Sequence, residues 1–169
     1  LATAAMGGLL VAALAGAVEL PILRWADLHA ATGVVGWMLV LLAAVSRVVM
    51  PMFQGVPQVP GRLQGAWLLW VAIGLPLAGI AWVRAGAGYA LGAVAAAAVR
   101  SLALGGLWRP RPARRISGAT LGAFWRVGLV ALALAAVVAW LPGERAVLVG
   151  VLVLAVGLPM LVLGMLLEI

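Results

Sequence analysis

The sequence predicts an all-α fold, a polytopic transmembrane helix bundle of about six spans. Hydrophobic residues make up 67% of the 169 residues and the mean hydropathy is +1.25. Only 9% are charged, whereas a soluble domain carries roughly 25%. That is too little polar surface to face water. The third observation is length: six apolar runs each approach the roughly 20 residues that cross about 30 Å of hydrocarbon as a helix. No run alternates with period two over the length of a barrel strand, which argues against a transmembrane β-barrel.

The six expected spans cover residues 4–23, 28–50, 65–83, 86–107, 121–141 and 146–167, all within one transmembrane domain (1–169). The first run lacks a basic leader, so it reads as a span rather than a signal peptide. The second ends at "PMFQGVPQVPGR", whose three prolines cannot continue a helix. Only "RAGAG" separates the third and fourth, which predicts a hairpin. "WRPRPARRISG" is the basic connection to the fifth, and "LPGER" links the fifth to the sixth. In the last span Gly150, Gly157 and Gly164 recur every seven residues, keeping one helix face narrow for packing. The chain starts at Leu1 and ends directly after an apolar run, so it reads as a segment of a longer protein.

All eleven cations are arginines, and the isoelectric point is near 11.9. In a soluble chain that basicity would suggest nucleic acid. In a membrane chain it points instead to basic loops lying against anionic lipid, with no nucleic-acid partner. Six spans place Arg47, Arg62, Arg100, Arg109, Arg111, Arg114, Arg115 and Arg126 toward one face. Arg24, Arg84 and Arg145 go to the other. The positive-inside rule then puts both ends of the segment and the "RPRPARR" loop in the cytoplasm of a bacterial inner membrane. Cysteine is absent, which removes disulfides and thiolate chemistry. Phosphate-loop, dinucleotide, serine-hydrolase and zinc-protease motifs are missing as well.

The one histidine, His29, opens the second span in "DLHAATGVVGW". Arg47 lies eighteen residues later, five turns of an unbroken α-helix. Gly33, Gly36 and Val40 fall near the same stripe. The face therefore has a polar outer end, a floor of small residues and a cationic inner end. Either a neighbouring helix or a porphyrin ring can approach such a floor closely. Spacing alone favours helix packing, yet neutral imidazole is the usual protein ligand of haem iron. Glu19, a turn inside the first span, would pair with Arg24 or His29, and Asp27 lies beside them. Arg100, on nearly the azimuth of Tyr89, would snorkel to the inner surface or hold an anion. Phe124, Trp125 and Arg126 read as an interfacial anchor.

The run "LHAATGVVGWMLVLLAAVSRVVMPMFQGVPQVP" resembles a group of bacterial multispan proteins related to the cytochrome c oxidase subunit I-like (haem-copper oxidase-like) superfamily and to NnrS-type haem and copper membrane proteins. Their second span reads roughly H-x-H-x-G-x-x-G-W and ends in V-P-M-F-Q before a proline-rich loop. His29, Gly33, Gly36, Trp37, Pro51, Met52, Phe53 and Gln54 match it. "RRISGATLGAFWRVG" is similar to the basic loop leading into the next helix, and the likeness covers about half the chain. Ala31 stands where the second histidine of the pattern falls. A site using both imidazoles is therefore broken.

What the resemblance implies is a haem-binding, oxidase-like membrane protein linked to respiration, denitrification or metal handling. His29 would be one axial ligand of a b-type haem, and Gly33, Gly36 and Trp37 would lie against it, with the opposite ligand in helices or subunits outside these residues. Two other readings stay open. In a permease, Glu19, His29 and Arg100 would line a path for protons or small anions, with Pro76 and Pro159 as helix breaks. In a structural or assembly subunit, the polar residues would only orient the helices.

Overall fold

A computed structural model of the chain describes residues 1–107, 119–139 and 146–167. All regular structure among them is helical, in the order α1 (Ala2–Leu14), α2 (Ile22–Gly33), π1 (Val34–Leu39), α3 (Val40–Gln54), α4 (Gly61–Ala85), α5 (Gly88–Leu107), α6 (Ala119–Val138), α7 (Ala146–Gly150), π2 (Val151–Gly157) and α8 (Leu158–Leu166). Segments π1 and π2 are π-helical turns set within continuous helices. Four stretches are long and apolar enough to cross a membrane: Ile22–Met52, Gly61–Ala85, Gly88–Gly105 and Val147–Leu166. Ala2–Leu14 and Gly122–Val138 are shorter apolar helices. Six apolar helices in all agree with the expected count, and this is a helical, multi-pass membrane chain. The basic loop with Arg109, Arg111, Arg114 and Arg115, and the "LPGER" link, lie outside the described residues.

The first helix differs most from expectation. The run 4–23 is not one span, because α1 stops at Leu14. Gly16 takes the left-handed conformation (φ 75°). Its N–H donates to the Ala13 carbonyl at 3.0 Å, and the Ala17 N–H donates to the Ala12 carbonyl at 2.9 Å. These two bonds form a Schellman cap, which closes a helix at a glycine. Pro21 then stands immediately before α2. The 13 residues of α1 extend about 20 Å at 1.5 Å per residue, short of the hydrocarbon thickness.

The hairpin between the third and fourth runs is present. Helix α4 ends at Gly86 (φ 67°), whose N–H donates to the Trp82 carbonyl at 3.0 Å. Prolines inside the helices remove donors from the backbone ladder. Pro51 leaves the Arg47 carbonyl without its usual i+4 partner, and Pro76 does the same for Ala72. Pro159 sits in the first turn of α8, directly after π2. A proline clashes with the carbonyl four residues back, and the wider π turn accommodates that misfit.

The chain divides into two compact units. The first comprises Leu1–Leu41 and Arg62–Ala95. Its buried side chains include Leu28, Val35, Leu39, Val71, Leu75 and Leu91. Glycines on one helix receive side chains from the next. A Cβ on Gly79 of α4 would lie 2.5 Å from the Leu28 Cδ1, and one on Gly74 would lie 3.5 Å from Val94. The second unit comprises Leu42–Gly61 and Ala96–Ile169. Within it α6 lies along π2 and α8, with Trp125, Leu129, Leu132, Val153, Leu158 and Leu161 buried. Of the glycine seam in the last helix, Gly157 meets Leu132 and Gly164 meets Trp125, while Gly150 has nothing within 4 Å.

Candidate functional site

His29 lies two turns into α2, and α1 covers one edge of its ring. A Cβ on Gly7 would sit 3.4 Å from the imidazole Cε1 and 4.0 Å from Nδ1. Those are ordinary van der Waals distances, so the ring lies directly against α1. The imidazole is half-buried, and its buried Nδ1 has no hydrogen-bond partner among the described residues. One turn on, the Thr32 hydroxyl is shared between the carbonyls of Leu28 (2.9 Å) and His29 (3.0 Å), with the Met6 sulfur of α1 at 3.5 Å. Thr32 thus ties α1 to α2 beside the histidine without reaching the ring nitrogens.

The acceptor expected for the imidazole does not take the bond. Asp27 and Glu19 are both exposed, and Glu19 lies between α1 and α2, outside any helix. Arg24, expected as a partner of Glu19, is engaged elsewhere. Its Nη1 donates to the Val83 carbonyl at 3.2 Å, and its guanidinium lies 5.4 Å from the centre of the Trp82 ring. The reason lies in the end of α4. Gly86 caps α4 through the Trp82 carbonyl and leaves the carbonyl of Val83 open, so a guanidinium completes the cap. A Cβ on Gly86 would come within 3.4 Å of that guanidinium, and one on Gly88 within 2.8 Å of the indole. This clasp holds α2 to the α4–α5 turn. Sequence reading missed it, because nothing local marks Val83 as the carbonyl left over.

The eighteen residues from His29 to Arg47 are not an unbroken α-helix, because π1 intervenes. A π turn holds close to one residue more than an α turn, which rotates everything after it by roughly a quarter turn. The floor of small residues is in use as well. A Cβ on Gly33 would meet the Thr3 methyl of α1 at 3.6 Å, and one on Gly36 the Leu75 Cδ2 of α4 at 3.2 Å. Neighbouring helices are the bodies that approach these glycines. Trp37, in π1, is 64% exposed and faces away from protein.

Arg47 is half-buried, its guanidinium 3.1 Å from where a Cβ on Gly61 would sit, and its buried Nε has no partner among the described residues. Tyr89 is 79% exposed, and Arg100 is exposed on α5. Trp125, expected as an interfacial anchor, is instead 1% exposed and plugs the space beside Gly164. Among the described residues no three His, Cys, Asp or Glu side chains come together as a metal site. A lone imidazole contributes one bond to a metal and leaves the remaining positions to other groups.

No protein-family model matches the chain, and no curated protein or solved structure matches it. Functional reading therefore rests on the residues themselves.

Proposed function

We propose that this chain is part of a multi-pass protein of the bacterial inner membrane in which His29 supplies one axial ligand to a b-type haem or another transition-metal ion. The observation that carries the reading is the state of His29: the one imidazole of the chain, half-buried in an apolar span, with a buried Nδ1 that has no partner among the described residues. A buried polar atom without a partner is uncommon and calls for an explanation. Ligation requires the neutral ring, with the free nitrogen bound to an acceptor that fixes its tautomer. The resemblance of "LHAATGVVGWMLV" to oxidase-like second spans supports the same residue.

The residues fit such a group in part. His29 fits one ligand position. The face bearing Gly33 and Gly36 does not fit a porphyrin laid across it, because Thr3 and Leu75 occupy those notches. A bound haem would supply one-electron chemistry. The chain's own part is to hold the imidazole against Gly7 and to exclude water with the α1–α2 contact.

The expected result in full-length protein is a Soret band that His29→Ala abolishes or shifts and that His29→Gln does not restore. A wild-type preparation that carries neither haem nor metal after expression with excess haem sinks the reading.

A second reading is favoured by the Arg24–Val83–Trp82 clasp: the polar residues of the first unit orient helices and bind nothing. In that case His29→Ala lowers thermal stability in detergent and leaves the spectrum of the preparation unchanged.

The sidedness belongs to the same proposal. The arginine distribution from α2 onward supports a cytoplasmic C-terminal end and a cytoplasmic "RPRPARR" loop facing anionic lipid. Single cysteines at Gly61 and Gly143 of this cysteine-free chain test it with an impermeant thiol reagent. Gly61 is expected to label from the cytoplasm and Gly143 from the opposite side; the reverse pattern inverts the topology.

A further inference from the structure

The exposed side of α5 in the second unit differs from that of α8 and from most of α6. Near its start α6 exposes Ala123 and Arg126, and beyond them Val127, Val130, Leu134 and Val137. The exposed positions on α8 are Val162, Leu163 and Leu166. On the part of α5 within the second unit, the exposed positions among the described residues are Ala97, Arg100, Ser101 and Gly105. They follow the three-and-four spacing of a single helix face. No large hydrophobic side chain is exposed between residues 90 and 105.

Arg100 lies at the thirteenth position of the 20-residue α5, so its Cα is about 10 Å along the axis from the end of that helix at Leu107. Among the described residues it forms no hydrogen bond or ion pair. The Ser101 hydroxyl is turned back onto the Ala98 carbonyl at 3.0 Å. A guanidinium at this depth is costly in lipid, and intramembrane charges face partners rather than acyl chains. Small residues around it permit close backbone approach by another helix, the composition that membrane helix interfaces use. Exposed positions on α8, and on α6 past Arg126, carry no such pattern.

We propose that the Ala97–Arg100–Ser101–Gly105 face of α5 is a docking surface for a transmembrane helix of another polypeptide that carries an aspartate or glutamate at the depth of Arg100. Charge complementarity selects the carboxylate, and Ala97 and Gly105 admit the helix backbone closely enough for Arg100 to reach it. A second copy of this chain is less complementary. Its acidic residues are Glu19, outside the helices, Asp27, in the second turn of α2, and Glu144 and Glu168, which by sequence fall beyond the ends of the apolar runs. The inference does not depend on His29 or on haem.

The test uses the full chain, made at its natural level in its own membrane, with single spin-labelled cysteines at Ala97 and Gly105. Val130 and Leu134 serve as lipid-facing controls. Collision with molecular oxygen, read by electron paramagnetic resonance, reports lipid contact. The expected result is at least a threefold lower oxygen accessibility at Ala97 and Gly105 than at the controls in native membranes. That shielding should vanish for one copy in a phosphatidylcholine–phosphatidylglycerol nanodisc. Arg100→Glu should abolish the shielding in native membranes, and Arg100→Lys should largely retain it. Control-level accessibility in native membranes overturns the proposal and means that Arg100 meets lipid phosphate. Shielding that returns with two copies per nanodisc assigns the face to self-association and also overturns it. Shielding indifferent to Arg100→Glu overturns the carboxylate.

Discussion

Replacing Gly128 with valine is expected to destabilise the second unit by about 3 kcal/mol, the upper end of the cost of overpacking a close-packed site. A Cβ at this position would stand 2.7 Å from the Leu161 Cγ, 2.9 Å from the Gly157 carbonyl oxygen and 3.0 Å from the Leu161 Cδ2. A leucine tip can rotate away. A backbone oxygen cannot move without displacing its helix, and Gly157 ends π2, where its own Cβ position is blocked by Leu132 and by the Leu152 carbonyl. The two glycines let α6 and the last helix approach until backbone meets backbone. In lipid such packing has no hydrophobic term to assist it, so van der Waals contact carries the association. Gly150→Ala is the control. Nothing lies within 4 Å of its Cβ position, so the exchange is neutral or stabilises by up to about 1 kcal/mol through helix propensity. Thermal unfolding in detergent separates the two. Equal midpoints for Gly128→Val and Gly150→Ala would mean that α6 does not lie on Gly157.

The glycine seam shows how much of the fold was legible. Its seven-residue spacing marked a packing face, and Gly157 and Gly164 use it. Gly128, the partner glycine on α6, carries no periodic signal and becomes meaningful only once the two helices are placed. Hydropathy marked all six apolar runs for the same reason that it marks any span: burial in lipid requires an apolar surface all round. It overran the end of α1 because an average over a window does not register one left-handed glycine at residue 16 or the proline at 21. The π turns left no trace in composition. "VVGWML" and "VLVLAVG" are ordinary apolar helix sequence, although the second precedes Pro159, whose clash with the preceding turn offered a hint.

The candidate site was less legible than the fold. His29 stood out as the one imidazole, but its neighbour Gly7 belongs to a different helix and lies twenty-two positions earlier in the chain. No periodicity connects such a pair. Arg24 was read as a counter-ion for Glu19 because charge pairing is the first use one assigns to an arginine near a carboxylate. The structure uses it to complete a helix C-terminus, a role set by which carbonyl Gly86 leaves unbonded. Arg100 was weighed against lipid and against anions along its own azimuth. Its surroundings, small and polar where the neighbouring helices expose valine and leucine, emerge only when exposure is known position by position.

Trp125 is the side chain whose loss should be felt most. It is 1% exposed and is among the largest fully buried side chains of the chain. Its indole fills the notch beside Gly164, whose Cβ position lies 3.0 Å from both Cδ1 and Nε1. Trp125→Ala removes that plug from a helix pair held by packing, and is expected to cost about 3–5 kcal/mol, the range for large aromatic truncations in cores. Trp125→Phe should behave quite differently. The indole N–H is buried and has no hydrogen-bond acceptor among the described residues, a deficit worth about 1–3 kcal/mol. Phenylalanine removes that donor while keeping much of the apolar bulk. The lost volume and the relieved N–H then nearly offset each other, leaving the melting midpoint within a degree or two of the wild type. Gly164→Ala, by contrast, pushes against a ring that cannot fold away and should fall between the two. If Trp125→Phe proves as damaging as Trp125→Ala, the indole N–H is bonded after all, and Trp125 is a hydrogen-bonding residue rather than a packing one.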